Sequence, residues 1–318
     1  MFLCPDILVL DEPTNHLDGS SVEYLMEYLQ SYTNTVVIIS HDIEFLDNIV
    51  DNVIYINDKT LTQSSGPVAT FINNMSSLHK PIKFPVPKSI KNPLVQLRNL
   101  SFKYPNSIPL FSNVDFTINN NSRIAIMGPN GVGKTTLVKL ISGEIDLSGD
   151  DSDMIYRNIN LTIGRLHQQI NLELYSSQTA VQSLINLAYE HYSSNCRDWI
   201  NEHNIRKHLG RFGITQSSQL QQVSELSDGQ RSRLMLALAS LIEPQMLILN
   251  EPTNYLDPIM IEVMTQGLIE YIGALIIISH NETLIRRTCD QKEHSSFRHL
   301  ICQIIRIESG DIKVEFIN

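Results

Sequence analysis

The run Gly128, Pro129, Asn130, Gly131, Val132, Gly133, Lys134, Thr135 and Thr136 carries the clearest chemistry in this sequence. It fits the pattern G-x-x-x-x-G-K-[ST], in which glycines let backbone amides turn inward around phosphate oxygens. Lys134 then reaches the β- and γ-phosphates, and Thr135 places its hydroxyl on Mg²⁺. The flanks suit such a loop. Ser122–Met127 reads as an apolar strand and Thr136–Ser142 as a helix, whose N-terminal dipole favours an anion. Upstream, Leu100–Tyr104 places two aromatics in a strand before Pro105, with Phe102 and Tyr104 on one face. Tyr104, nearer the turn, is the candidate to stack on a purine.

Downstream, Leu226-Ser-Asp-Gly-Gln230 precedes a strongly apolar stretch, Leu234–Ile242. Ser227 with Gln230 three residues on is a capping box, so a helix begins here. A capped helix start also exposes amides that suit a phosphate.

A second signal is an internal repeat. Leu8–Asp18 (LVLDEPTNHLD) recurs as Leu247–Asp257 (LILNEPTNYLD), an offset of 239 residues. Val36–His41 and Leu275–His280 match in the same register, so Glu12 to His41 and Glu251 to His280 have the same spacing. In both copies a short apolar strand ends in Asp or Asn followed by Glu. A helical pattern follows (Ser20–Gln30; Ile259–Ile272), then a second apolar strand ending in Ser-His. Continuous apolar strands alternating with helices read as a parallel sheet covered on both faces. Residues at the carboxyl ends of such strands are where open α/β sheets bind ligands.

The copies differ in what precedes them. More than a hundred residues, including the glycine-rich loop, lie before Glu251; eleven lie before Glu12. Residues 1–57 supply about three strands and two helices, too little for a self-sufficient core. The expected division is therefore a partial unit at 1–57, a linker at 58–93 and a complete unit at 94–318. Pro81, Pro85, Pro87 and Pro93 keep the linker extended after a short helix near Val68–Met75.

In this order the residues resemble the ATP-binding cassette (ABC) ATPases. Tyr104 matches the family's A-loop aromatic, Gly128–Thr136 its Walker A, and Gln168 its Q-loop, with Gln169 the alternative. Leu226–Gln230 matches the signature, Asn250-Glu251 the Walker B end and catalytic glutamate, Asn254–Asp257 the D-loop, and His280 the switch histidine. The wording Glu-Pro-Thr-Asn-His-Leu-Asp of the first copy, repeated with Tyr255 for the histidine in the second, resembles the ABC-F (elongation-factor-3-like) branch and implies an N-terminally truncated member.

The resemblance implies an α/β P-loop NTPase with a parallel-sheet core, an antiparallel β subdomain and a helical signature subdomain, preceded by a partial second cassette. It further implies that ATP and Mg²⁺ bind. Glu251 would polarise the attacking water and His280 contact the γ-phosphate. Thr135, Gln168 and Asn250 would serve the metal, while Ser227, Gly229 and Gln230 would face a partner cassette's nucleotide. A second copy, or the missing half, would complete that composite site. Cytoplasmic location and contact with ribosome and tRNA come with the resemblance.

Four features depart from the family pattern, the first three pointing to slow hydrolysis or none and the fourth removing the family's main contact with tRNA. The first copy keeps Asp11, Glu12 and His41 without a Walker A or signature. Asn250 replaces the Walker B aspartate, removing a negative charge beside the metal. Asp228 stands where the signature has glycine, and a carboxylate there repels a triphosphate. The linker is short and proline-broken where ABC-F proteins carry a long charged hairpin. Two other functions stay open: a non-enzymatic, ATP-dependent interaction module, and a transporter-associated cassette.

Composition sets the outer bounds. The chain has 318 residues and a formal net charge of −10, which argues against wrapping nucleic acid. A basic island without Asp or Glu runs from Lys59 to Val114; such runs are usually solvated surface, though this one could touch RNA. No apolar run reaches the roughly 18 residues of a membrane span. Cys4, Cys196, Cys289 and Cys302 form neither a C-x-x-C pair nor a zinc spacing.

Overall fold

The apolar runs around Lys134 form strands of one sheet, and helices occupy several of the intervals between them. In the computed structural model, all residues are described except 1–4, 15–16, 18, 41, 58–59, 79–81, 106–107, 130, 146, 148–153, 167–171, 192–199, 255, 280, 290–300, 309–310 and 318. The chain divides into two units: Met1–His79 with Asp257–Val263, and Lys80–Leu256 with Met264–Asn318.

The first unit opens with β1 (Ile7–Asp11), α1 (Gly19–Gln30), β2 (Thr35–Ile39) and α2 (Ile43–Asp47). β1 and β2 pair in parallel, Ile7 opposite Thr35 and Asp11 opposite Ile39. Leu8, Leu10, Val36 and Ile38 pack on Leu25, Leu29 and Phe45, covering one face of this two-stranded sheet. The other face leaves Ile7, Val9, Val37 and Ile39 exposed. β3 (Asn52–Asn57) and β4 (Thr60–Ser65) form a separate antiparallel hairpin, followed by α3 (Val68–Leu78). The short helix expected near Val68–Met75 is α3, one turn longer.

The second unit begins with an extended stretch. Ile82 is buried and Phe84 stands edge-on to Phe212 and Tyr271, with ring centroids 5.5 and 5.8 Å away. An antiparallel sheet follows, of β5 (Val95–Phe102), β6 (Phe111–Ile118) and β8 (Ile155–Arg157), in the order β6-β5-β8. The main sheet contains β7 (Ser122–Met127), β9 (Ile163–Leu166), β10 (Met246–Asn250), β11 (Ala274–Ile278), β12 (Ile301–Glu308) and β13 (Asp311–Ile317). Its order is β13-β12-β7-β11-β10-β9, and only the β12–β13 pairing is antiparallel.

The helices are α4 (Lys134–Ser142), α5 (Ala180–His191), α6 (Glu202–Arg211), α7 (Gln216–Leu220), α8 (Asp228–Ser240), α9 (Pro258–Glu270) and α10 (Glu282–Cys289). Every residue of β10 and β11 is buried, as a sheet covered on both faces requires. Ile124, Ile126, Ile248 and Ile276 share a core with Leu137, Val138, Leu140 and Ile141 of α4. Ala125, on the opposite face of β7, packs with Ile285 and Cys289 of α10. The chain therefore has the mixed-sheet α/β architecture expected from its motifs.

Candidate functional site

Register brings the motif residues to one edge of the main sheet. Ile126 lies opposite Ile278, and Ile278 opposite Asn250. These strands are parallel, so their carboxyl ends point the same way. Gly128 thus follows β7, and Glu251 follows β10, two strands away. At about 4.8 Å per strand that separation is roughly 10 Å. This is the crevice where open α/β sheets bind ligands.

The loop between β7 and α4 has the geometry of a phosphate cradle. Gly133 is the N-cap of α4 in the left-handed conformation, with no side-chain cap bond. The first-turn amides are therefore left for an external acceptor. A Cβ on Gly133 would meet the Phe111 ring at 2.9 Å, and one on Gly128 would meet the Ile307 carbonyl oxygen at 2.5 Å. Lys134 Nζ donates to the carbonyl oxygens of Gly128 (2.6 Å) and Pro129 (2.9 Å), folding the cation back over its own loop. Gly131 and Thr135 are exposed and Val132 is half-buried. Thr136 is buried, and its hydroxyl hydrogen-bonds the Tyr104 hydroxyl at 3.2 Å. Tyr104 also packs edge-on to Phe102, with centroids 5.1 Å apart.

At the end of β10, Asn250 is buried and Glu251 is half-buried. Glu251 has φ 47, and its amide donates to the Ile278 carbonyl at 2.7 Å. This sharp turn ends β10 at the residue expected to polarise water. At the neighbouring end of β11, the Ser279 hydroxyl accepts from the Asn281 amide at 3.1 Å, and Asn281 Oδ1 accepts from the Leu284 amide at 2.8 Å, starting α10. Asn130, Gln168 (with its alternative Gln169) and His280 lie outside the described residues.

The signature stretch forms the start of α8. Ser227 is the N-cap; its hydroxyl accepts from the Gln230 amide at 3.3 Å, and Gln230 Oε1 accepts from the Ser227 amide at 2.9 Å. Gln230 Nε2 also reaches Ser218 Oγ at 3.1 Å. Ser227 and Asp228 are exposed and Gly229 is half-buried. Sequence reasoning missed the neighbour of Asp228: Arg231 lies one helical turn on, 3.5 Å from its carboxylate. The same guanidinium donates to the carbonyls of Val223 and Ser224. The i, i+3 spacing was the available signal.

Residues 111–254 match the family model described as ABC transporter. The chain is 30% identical over 382 residues to ABC transporter F family member 4 of Arabidopsis thaliana, covering 98% of this chain and 51% of that protein. The chain is thus similar to ABC-family proteins, and among them to the ABC-F group. The dimeric structure of a bacterial ABC transporter cassette matches this cassette fold with a TM-score of 0.53 at 20% identity, covering 70% of this chain and 99% of that one. A complex of archaeal ribosomal stalk protein and archaeal ribosome recycling factor matches with a TM-score of 0.62, also at 20% identity, covering 96% of this chain and 59% of that one. The chain spans about half the length of the Arabidopsis relative. Among the described residues, no helix is long and apolar enough to cross a membrane.

Proposed function

We propose that this protein binds ATP with Mg²⁺ at Gly128–Thr136 and hydrolyses it slowly. The observation that carries this reading is the glycine-capped start of α4, set at the same sheet edge as Asn250 and Glu251. Lys134 exchanges its bonds to Gly128 and Pro129 for phosphate oxygens, while the α4 amides bind the same group. Thr135 and Asn250, with Gln168, offer the oxygen donors that Mg²⁺ prefers. When bound, the ion neutralises charge on the β- and γ-phosphates. Glu251 orients water, His280 steadies the γ-phosphate, and Tyr104 stacks on the purine. Asn250 supplies an oxygen without a charge, so metal retention and turnover fall.

Residues 1–57 are read as the C-terminal part of a first cassette, 58–93 as a linker and 94–318 as the complete cassette. The matching registers of β1–β2 and β10–β11 support that division. Ser227, Gly229 and Gln230 then serve a nucleotide on a second copy or on a completed first cassette. Work in the cytoplasm beside the ribosome and tRNA is proposed from the ABC-F relatives and from the recycling-factor likeness.

ATP·Mg²⁺ binding and turnover, measured on the parent beside Asn250→Asp and Lys134→Ala, test the reading. The parent should bind with low turnover, Asn250→Asp should raise turnover, and Lys134→Ala should lose binding. Absence of nucleotide binding by the parent overturns it. Asn250 and Asp228 also favour a second reading, an interaction module that uses ATP only to close an interface. Measurable turnover that disappears in Glu251→Gln rejects that alternative.

A further inference from the structure

The helix that begins at the phosphate loop is tied down at its far end by two arginines from different strands. Arg157, the last residue of β8, donates from Nε to the Ile141 carbonyl at 3.1 Å and from its terminal nitrogen to the Leu140 carbonyl. These carbonyls belong to the last turn of α4, where helix acceptors lack intrahelical donors and the dipole favours a cation. Gly143, left-handed at φ 82, turns the chain against that side chain; a Cβ there would sit 3.5 Å from the guanidinium carbon. Arg165 of β9 pairs with Glu144, just beyond α4. β9 is the strand that leads on to Gln168.

The strand that carries Arg157 gives the contact its meaning. Arg157 lies opposite Val95 in the antiparallel sheet, and β5 runs from Val95 toward Tyr104. Tyr104 meets Thr136 in the first turn of α4. The antiparallel sheet and the segment just beyond β5 therefore hold both ends of a helix about 14 Å long, by a guanidinium at its end and a hydroxyl at its start.

We infer that Arg157 is a positioning residue for the nucleotide site, setting the distance between the Tyr104 ring and the phosphate-binding turn through α4. This rests on the ATP-binding reading above. A ligand that spans both places depends on the spacing; a ligand held only by the phosphate loop does not.

The test compares ATP with inorganic tripolyphosphate, each with Mg²⁺, on the whole chain. The proteins are the parent, Arg157→Met, Arg157→Lys and the control Arg306→Gln, which breaks a surface pair with Glu315. Arg157→Met keeps the stem and deletes the cation. It should bind ATP about 10-fold more weakly, the scale of one charged hydrogen bond, and tripolyphosphate less than about 2-fold more weakly. Arg157→Lys should lie between parent and Met, and Arg306→Gln should match the parent. Equal losses for both ligands, tracking a fall in melting temperature, would reduce Arg157 to a stability role and overturn the inference. So would ATP affinity unchanged in Arg157→Met. If Arg157→Met does not fold, the same ratio is read on Arg157→Lys. A parent that binds neither ligand removes the ATP reading itself, a result distinct from equal losses in the variants.

Discussion

Glu12 and Glu251 occupy the same local frame, 239 residues apart. Their φ angles are 44 and 47, and each amide donates to the last residue of the adjacent parallel strand, Ile39 at 2.8 Å and Ile278 at 2.7 Å. The match extends outward. Tyr32 and Tyr271 each donate a hydroxyl at 2.6 Å to the carbonyl of a proline, Pro5 and Pro244, just before the first strand of the copy. Asp42 and Asn281 each accept from an amide three residues on, and each begins a helix. Two segments with this agreement are built to one plan, although only the second has a phosphate loop in this chain.

The positive φ at Glu251 makes backbone conformation a separate requirement from the carboxylate. Glu251→Gln should keep ATP affinity within about 2-fold and reduce turnover by 10²-fold or more, in the range of general-base losses. Glu251→Val places a β-branched residue at positive φ and should cost about 1–3 kcal/mol of stability as well. Thermal melts beside single-turnover assays separate the two; equal stability of the Gln and Val variants would count against the strained turn.

Gly133→Ala should damage folding and binding together. Its φ of 108 and the Phe111 ring 2.9 Å from an added Cβ leave no relaxed position for a methyl group. A loss of about 1–3 kcal/mol is expected, with weaker ATP binding. Urea unfolding and nucleotide titration check it, and a variant that melts and binds like the parent contradicts the cradle geometry.

Matched positions in the two copies should respond unequally. Val9 is 63% exposed, whereas Ile248, its counterpart, is fully buried against the α4 side of the sheet. Val9→Ser should change stability by no more than about 0.5 kcal/mol, and Ile248→Ser should cost roughly 3–5 kcal/mol. Denaturation midpoints decide this. A large loss in Val9→Ser would mean that the first sheet's open face is covered in solution.

His208 should make the helical layer sensitive to acid. It is buried on α6, with Nε2 2.8 Å from the Ala237 carbonyl of α8, and burial pushes its pKa down from 6.5 to about 4. The folded state therefore holds the neutral ring while the unfolded chain takes up a proton below pH 6.5. Its stabilising contribution is full above that pH and declines between about 6.5 and 4, by roughly 3 kcal/mol in all. Subtracting the stability–pH curve of His208→Leu from that of the parent isolates the effect, since the carboxylates are common to both. A flat difference across that interval would show that the ring is not held neutral.

Local chemistry was legible in the sequence because each signal lies within one element or turn. Strand, glycine loop and lysine appear in order at Ser122–Thr136, and the capping box joins Ser227 to Gln230, three residues on. The repeat announced two matching strand pairs, and their registers agree residue for residue.

Only the tertiary structure decided which faces those strands bury and what holds α4. β1 and β10 are alike in sequence, yet α4 packs on the second pair's sheet, where Met246 and Ile248 are buried at the positions matching the exposed Ile7 and Val9. Burial depends on neighbours a hundred residues away, which a period-two apolar pattern cannot name. The grip of Tyr104 and Arg157 on α4 joins residues from opposite flanks of the loop, and the Arg157–α4 bonds form beside the glycine turn at Gly143. A lone arginine or tyrosine in a strand has no local signature, since its partner is a backbone carbonyl or a hydroxyl that any sequence supplies. The glycine-lysine pattern is written in one short stretch of sequence, whereas the place of Tyr104 beside Thr136 comes from packing.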